Sequence, residues 1–328
     1  NGYGDPNVLQ QIMNIEKPDA ILHFTDPRFW GWLYNMEHDL RQAIPLMYLN
    51  IWDDLPYPHW NEPFYESCDL IMNISRQTQN IVKNVLRKHP KPDWAVQWVP
   101  HGINEKEFYP ITELHPQYNE FKEYEKTWKS KNDVDFVVYW NNRNIRRKQP
   151  GDVILAYKHF CDQLPKEKAD KCCLLMNTQI KDENGTDLKA VVKAICPMYK
   201  VEITNGGVPL KTLNFFYNMA DVTVNIASNE GLQDQMRFED ENGDWIEFNS
   251  DFPSNHDGTY KTHAKWAKAV FPSNRSLQGS PMTPYIFDDR CDFRDVGEAI
   301  KYWYDMSKEE RDECGMEGHN WVMGDESI

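Results

Sequence analysis

Residues Phe136–Lys148 read FVVYWNNRNIRRK. The first five, Phe136, Val137, Val138, Tyr139 and Trp140, are β-branched or aromatic, which is the composition of a buried strand. Asn141 and Asn142 end the run, and Arg143, Arg146, Arg147 and Lys148 follow as a cluster of cations. Gln149-Pro150-Gly151-Asp152 comes next, and Val153–Phe160 predicts a helix with Asp152 as its N-cap. A strand that opens through a basic loop into a helix N-terminus suits an anion, because backbone N–H groups and cations then point the same way. In an open α/β sheet, ligands sit at the carboxyl ends of strands. A solvated basic loop is the alternative reading of the same residues.

Upstream, apolar strands alternate with helices. Ala20–Phe24, Ile44–Leu49, Leu70–Ile74 and Trp94–Val99 read as strands. Phe29–Arg41, Glu62–Cys68 and Arg76–Lys88 read as helices, the last opened by Ser75. Asp26, Asp53 and Asp54 fall just past strand ends, and capping or turn formation is the plainer role for any one of them. Downstream the alternation repeats through Val153–Leu164, Lys171–Met176, Asp187–Cys196, Tyr199–Ile203, Leu210–Met219 and Val222–Ile226. Such alternation predicts parallel sheets wound with helices. The expected architecture is α/β, with two Rossmann-like domains facing each other across a cleft. The divisions are 1–110, a linker at 111–132, a second domain at 133–290, and terminal helices at 291–328. The chain opens on a turn and a helix, Val8–Glu16, where an α/β domain starts with a strand, so the first domain is expected to lack an N-terminal piece.

Composition narrows the function. The 328 residues suffice for two cores, and a net charge of -15 disfavours nucleic acid or an acidic membrane surface as the main partner. The seven cysteines form no CxxC pair and show no metal spacing; Cys172 and Cys173 lie in an apolar run. They read as core thiols of a reducing compartment, so a cytoplasmic location is expected. No signal peptide is visible and no apolar stretch is long enough to span a membrane.

Four segments carry a family resemblance. They are CDLIMNIS (Cys68–Ser75), VPHGINEKEFYP (Val99–Pro110), NRNIRRK with Arg143 and Lys148 five apart, and LKTLNFFYNMADVTVNIASNEG (Leu210–Gly231). In this order they resemble the motifs of retaining, group-1-type (family 4-like) glycosyltransferases with the GT-B fold, over roughly Ala20 to Gly231. The resemblance implies transfer of a sugar, with retention, from a UDP- or GDP-linked donor to an acceptor that is a glycan, protein, lipid or nucleobase. It implies no cofactor. Arg143 and Lys148 would stabilise the departing diphosphate, and Glu230 would accept hydrogen bonds from donor-sugar hydroxyls. Asn142, Asn205, Gly206, Ser228 and Gly231 would contact the donor, with Thr204–Pro209 bordering the base. Asp26, Asn50, Trp52, Asp53 and His101 would face the acceptor; for His101 a core histidine is the alternative. No DxD motif stands at a suitable strand end, so metal-independent chemistry is expected.

One departure stands out. The family places a second glutamate eight positions after the first, and here that position is Phe238. Gly231 runs directly into LQDQMRFEDENGDWIEF, which resembles a segment lying beyond a loop, helix and strand of roughly 20–30 residues. A donor-contacting piece beside Gly231 is therefore expected to be missing from the chain. A catalytically weak GT-B-like binding module and a nucleotide-sugar epimerase remain as alternatives to the transferase. Phe248–Ser280 reads as an insertion with a helix at Tyr260–Val270, and Tyr285–Phe287 as a strand. Asp295–Tyr304 and Lys308–Trp321 read as helices, the second with Ser307 and Glu310 as a capping box. The long terminal helix by which the resembled family crosses back to the first domain is not expected within the stretch to Ile328.

Overall fold

The computed structural model describes residues 3–227, 231–247 and 258–324. The chain divides into two compact units. One comprises Asn1–His101, Asn229–Thr262 and Arg275–Asp288; the other comprises Gly102–Ser228, His263–Asn274 and Asp289–Ile328.

The first unit opens on α1 (Pro6–Glu16), where the Asp5 side chain accepts from the N–H groups of Asn7 and Val8, and Pro6 sits in the first turn. β1 (Ile21–Phe24) follows. The single helix expected over Phe29–Arg41 is instead a 3₁₀ turn at Pro27–Trp30, then α2 (Gly31–Tyr34) and α3 (Glu37–Leu40). Gly31 and Asn35 are weak helix formers. The Trp30 ring is engaged edge-on by His23, with centroids 4.9 Å apart, and Trp32 lies 5.8 Å away, so ring packing sets the local backbone. β2 (Leu46–Asn50), α4 (Glu62–Ser67), β3 (Leu70–Asn73), α5 (Arg76–Val85) and β4 (Val96–Trp98) complete the first series. The four strands lie parallel in the order β1-β2-β3-β4. Leu46, Tyr48, Tyr65, Ile71, Ile81 and Val82 fill the core beneath them.

The second unit begins with α6 (Tyr118–Asn132) and then β5 (Phe136–Asn141), whose first five residues are buried, as their composition predicts. The helix after the basic loop, α7 (Pro150–Asp162), starts two residues before the expected cap. Gln149 occupies the cap position in the left-handed region, and Pro150, pre-set for helix, places Asp152 inside the first turn. α8 (Lys166–Ala169), β6 (Cys172–Asn177), α9 (Leu188–Ile195), β7 (Lys200–Ile203), α10 (Leu210–Met219) and β8 (Val222–Thr223) follow. Strand order is β7-β6-β5-β8, all parallel. The chain winds outward from β5 to β7 and then crosses to the other side of β5. The carboxyl ends of β5 and β8 therefore form the topological switch point.

A hairpin follows, β9 (Asn274–Ser280) and β10 (Thr283–Arg290), where one short strand was expected. Tyr260–Val270, expected as a helix, is irregular. His263 diverts its backbone bonds: Nδ1 donates to the Ala264 carbonyl at 2.9 Å, and Nε2 accepts from the Ala269 N–H at 3.3 Å. α11 (Phe293–Tyr304) and α12 (Lys308–Met323) end the chain, and the Ser307–Glu310 capping box forms as expected. Among the described residues no helix is long and apolar enough to cross a membrane.

Candidate functional site

In the second unit the carboxyl edge of the sheet is a run of polar side chains. Asn141 and Asn177, the last residues of β5 and β6, are register partners. Nδ2 of Asn177 donates to Oδ1 of Asn141 at 2.9 Å, and Nδ2 of Asn141 donates to the Tyr217 hydroxyl at 2.8 Å. The Thr204 hydroxyl donates to Asn177 Oδ1 at 2.8 Å. Across the switch point, Asn142 Nδ2 lies 3.4 Å from Asn225 Oδ1. Five elements, β5, β6, α10 and the segments after β7 and β8, thus meet at the carboxyl edge of the sheet, and Asn142 is one of the expected donor contacts.

The basic loop is built from Asn144 outward. This asparagine is fully buried. Its Nδ2 reaches the carbonyls of Gln179, Ile180 and Thr186 at 3.2, 3.3 and 2.8 Å, and its Oδ1 accepts from the Thr186 N–H at 3.3 Å. Gly185 packs so closely that a Cβ there would stand 2.0 Å from the Asn144 carbonyl oxygen. Loop 143–148 is thereby tied to the acidic loop 179–187. Asp182 in that loop receives Arg143 along one edge, Nε to Oδ2 at 2.8 Å and Nη2 to Oδ1 at 3.3 Å. The Arg143 guanidinium holds the Asp182 carboxyl below the usual carboxylate range. Lys148 closes a 3₁₀ turn, Arg146–Lys148, one turn before α7. Arg143 and Lys148 therefore flank the end of β5 and the start of a thirteen-residue helix. Asn205, in the left-handed region at φ 59, accepts the Ile180 N–H at 3.3 Å, and Gly206 follows at φ 135. Both lie at the end of β7, on the same edge of the sheet.

Ser228 and Glu230 lie outside the described residues. Gly231 opens a 3₁₀ turn, Gly231–Gln235, that belongs to the first unit.

In the first unit, Asn50 ends β2 and its Nδ2 donates to Oδ1 of Asn73, the last residue of β3, at 3.1 Å. Asn50 Oδ1 accepts the Trp52 N–H at 3.1 Å, and the Trp52 indole N–H donates to the Asp54 carbonyl at 2.9 Å. Trp52 is buried and meets Trp60 edge-on at 5.6 Å, and Asp53 follows it in the same loop. Asp26 follows β1, caps the 3₁₀ turn through the Arg28 N–H at 3.0 Å and pairs with the Arg28 guanidinium at 3.0 Å. Burial pushes its carboxyl up, against the pull of Arg28. His101 is exposed, beyond the end of β4. Asp26, Asn50, Trp52, Asp53 and His101 thus share the carboxyl edge of the first sheet.

The spacing of residues did not single out a second acidic contact there. Asp234 Oδ2 accepts the Arg76 N–H, at the start of α5, at 2.8 Å, and its Oδ1 is buried without a hydrogen-bond partner among the described residues. The Arg76 guanidinium lies 3.9 Å over the Trp98 ring and 3.1 Å from Glu247. Burial pushes the Asp234 carboxyl up to about 7. Asn144, Asp182 and the strand-end asparagines also escape a reading by spacing. The one visible sign is that both apolar runs, 136–140 and 172–176, are followed by asparagine. Among the described residues no group of three or more His, Cys, Asp or Glu side chains is placed to hold a metal ion.

No family model and no curated protein matches the sequence. Solved structures match the fold. An α,α-trehalose 6-phosphate synthase from Burkholderia multivorans superposes with a TM-score of 0.65 at 14% identity, over 96% of this chain and 70% of that one. The E. coli trehalose-6-phosphate protein bound with UDP-2-fluoro glucose gives 0.61 at 15% identity, over 96% and 72%. A glycosyltransferase from Rickettsia africae gives 0.60 at 13% identity, over 97% and 75%. At such identities the likeness is one of fold: mixed α/β, with the Rossmann-like parallel sheets of GT-B proteins.

Proposed function

We propose that this chain is a nucleotide-sugar-dependent glycosyltransferase acting with retention. Its donor would be UDP- or GDP-linked and would bind on the second unit. The observation that carries the reading is the placement of Arg143 and Lys148 between the end of β5 and the start of α7, beside the switch point. Charge builds on the departing diphosphate as the sugar leaves. A pre-positioned donor at such a point is worth about a hundred- to a thousandfold in rate. Lys148 and Arg143 would supply that charge as side chains, so the proposed chemistry is metal-independent and uses no cofactor.

Asn142, Asn205 and Gly206 would line the donor's base and sugar on the second unit, together with Ser228. The acceptor is assigned to the first unit, at Asp26, Asn50, Trp52, Asp53 and His101, with the buried Trp52 ring supporting the loop that carries Asp53. The E. coli structure bound with UDP-2-fluoro glucose supports a nucleotide-sugar donor by likeness of fold. Cysteine thiols without disulfide partners, Cys161, Cys172 and Cys173 among them, suit the reducing cytoplasm, which is the proposed location.

A second reading, a catalytically weak GT-B-like binding module, is favoured by Phe238. It stands where the resembled family has its second glutamate, and it is fully buried. Incubation with UDP- and GDP-hexoses, with and without sugar-phosphate acceptors, separates the two. Release of nucleoside diphosphate, with the product's anomeric centre matching the donor's by NMR, is the expected result. Nucleotide binding without release under any of these conditions would favour the module.

A further inference from the structure

Among the described residues, Arg143 is met along one edge only. Its Nε and Nη2 both face the Asp182 carboxylate. A guanidinium offers two bidentate edges to oxyanions, and side-on pairing through Nε and Nη2 leaves the end-on Nη1–Nη2 edge pointing elsewhere. The two partners differ in freedom. The Asp182 side chain is 5% exposed, whereas that of Arg143 is 61% exposed. Asp182 Oδ1 also accepts the Asn184 N–H at 2.9 Å, and the Arg146 N–H donates to the Asn184 carbonyl at 3.0 Å. The acidic loop is closed on itself by the Lys181–Asp187 bridge and ion pair, and it is tied to Asn144 as described above. The carboxylate is therefore the fixed member and the long cationic side chain the one that is held.

We infer that Asp182 is a positioning residue for the donor site. It holds Arg143 so that the end-on edge of the guanidinium meets the diphosphate of a sugar nucleotide, and Asn144 fixes Asp182 in turn. The inference rests on assigning Arg143 to the diphosphate. A purely competitive role for Asp182, as a resident anion that the ligand must displace, makes the opposite prediction. Removing it would then tighten nucleotide binding.

The experiment is a double-mutant cycle on the full chain, read by calorimetry with UDP and with GDP. Asp182→Asn keeps the size of the side chain and removes its charge. Expected is a loss of affinity of roughly 5- to 20-fold in the otherwise wild-type chain, within the range of coupled neighbours. In the Arg143→Ala background the same change should cost less than about twofold, because nothing is left to position. Thermal unfolding of each variant is measured alongside. Unchanged or tighter binding by Asp182→Asn overturns the inference. So does an equal loss in both backgrounds, which would mark Asp182 as a support of the loop alone. Failure of the wild type to bind either nucleotide, or unchanged affinity in Arg143→Ala, removes the donor assignment itself and the inference with it.

Discussion

Asn177 donates its side-chain amide to Asn141 directly across the β6–β5 register, at 2.9 Å. Asn50 does the same to Asn73 across β2 and β3, at 3.1 Å. All four are the last residues of their strands. In each unit the apolar strand stops at the carboxyl edge of the sheet, and a paired amide closes it. An amide carries both donor and acceptor, so two of them satisfy part of each other's capacity and still offer groups beyond the pair.

Asn177→Ala should therefore destabilise the second unit by about 1–3 kcal/mol, since it leaves Asn141 Oδ1 and the Thr204 hydroxyl without this partner. Urea unfolding checks it. A midpoint equal to wild type would show that water replaces the amide without loss.

Lys148→Ala should weaken UDP or GDP binding by about tenfold at low salt, and the gap should narrow as salt is raised. Its position at the end of the 3₁₀ turn before α7 motivates this. Calorimetry at two ionic strengths decides it, and equal affinities for the variant and wild type would exclude Lys148 from the anion site.

Two groups of the first unit oppose each other in pH dependence. His23 is buried against Tyr34 and Tyr48, and burial pushes its pKa from 6.5 down to about 4. Its folded form stays neutral while the unfolded chain protonates, so stability is lost as pH falls from about 6.5 to 4. Asp234, whose carboxylate accepts the Arg76 N–H while the Arg76 guanidinium pairs with Glu247, is pushed by burial from 3.8 up to about 7. Here the folded form keeps its proton longer, so stability is lost as pH rises from about 4 to 7. The two slopes partly cancel. Asp234→Asn should unmask the histidine, giving a chain that loses stability on acidification through pH 6.5–4 more steeply than wild type. Parallel melting temperatures for the two proteins across pH 4–7.5 would refute the assignment.

Asp221 is the hub of a buried ion pair. Its Oδ1 accepts from Arg311 Nη2 at 2.7 Å and its Oδ2 from the Val137 N–H at 2.9 Å. Asp221→Ala leaves the Arg311 charge, whose side chain is 12% exposed, without its carboxylate. A loss of about 3–5 kcal/mol is expected. Replacing both, as Asp221→Ala with Arg311→Met, should recover part of it, because no buried charge then stands alone. No recovery in chemical unfolding would mean that the Val137 bond dominates.

What could be read in the sequence was what short-range patterns encode. β5 begins at Phe136 and the Ser307–Glu310 box forms, because a run of β-branched and aromatic residues and a capping pair are local facts. Asp26, Asn50, Trp52 and Asp53 fall at strand ends because strand ends are visible as breaks in apolar runs. Asp182 was not legible: its partner Arg143 is 39 residues away, and Lys-Asp-Glu-Asn-Gly reads as an ordinary turn. Asp234 was missed for the same reason, as its contact with Arg76 spans 158 residues. The helix expected at Tyr260–Val270 failed because His263 offers the backbone partners that compete with helical ones.

The first unit is assembled from three separate stretches, ending at Asp288. On the ribosome its four strands are complete once residue 98 has emerged, yet Asp234, which meets the start of α5, comes well over a hundred residues later and the hairpin residues through 288 nearly two hundred later. At ordinary synthesis rates that is a delay of about 10–40 s. For that interval the nascent sheet stands without its closing segments, with the N-terminus of α5 and the Arg76 side chain uncovered. The second unit starts inside the same interval, so its strands β5 to β8 are made before the first unit's closing segments.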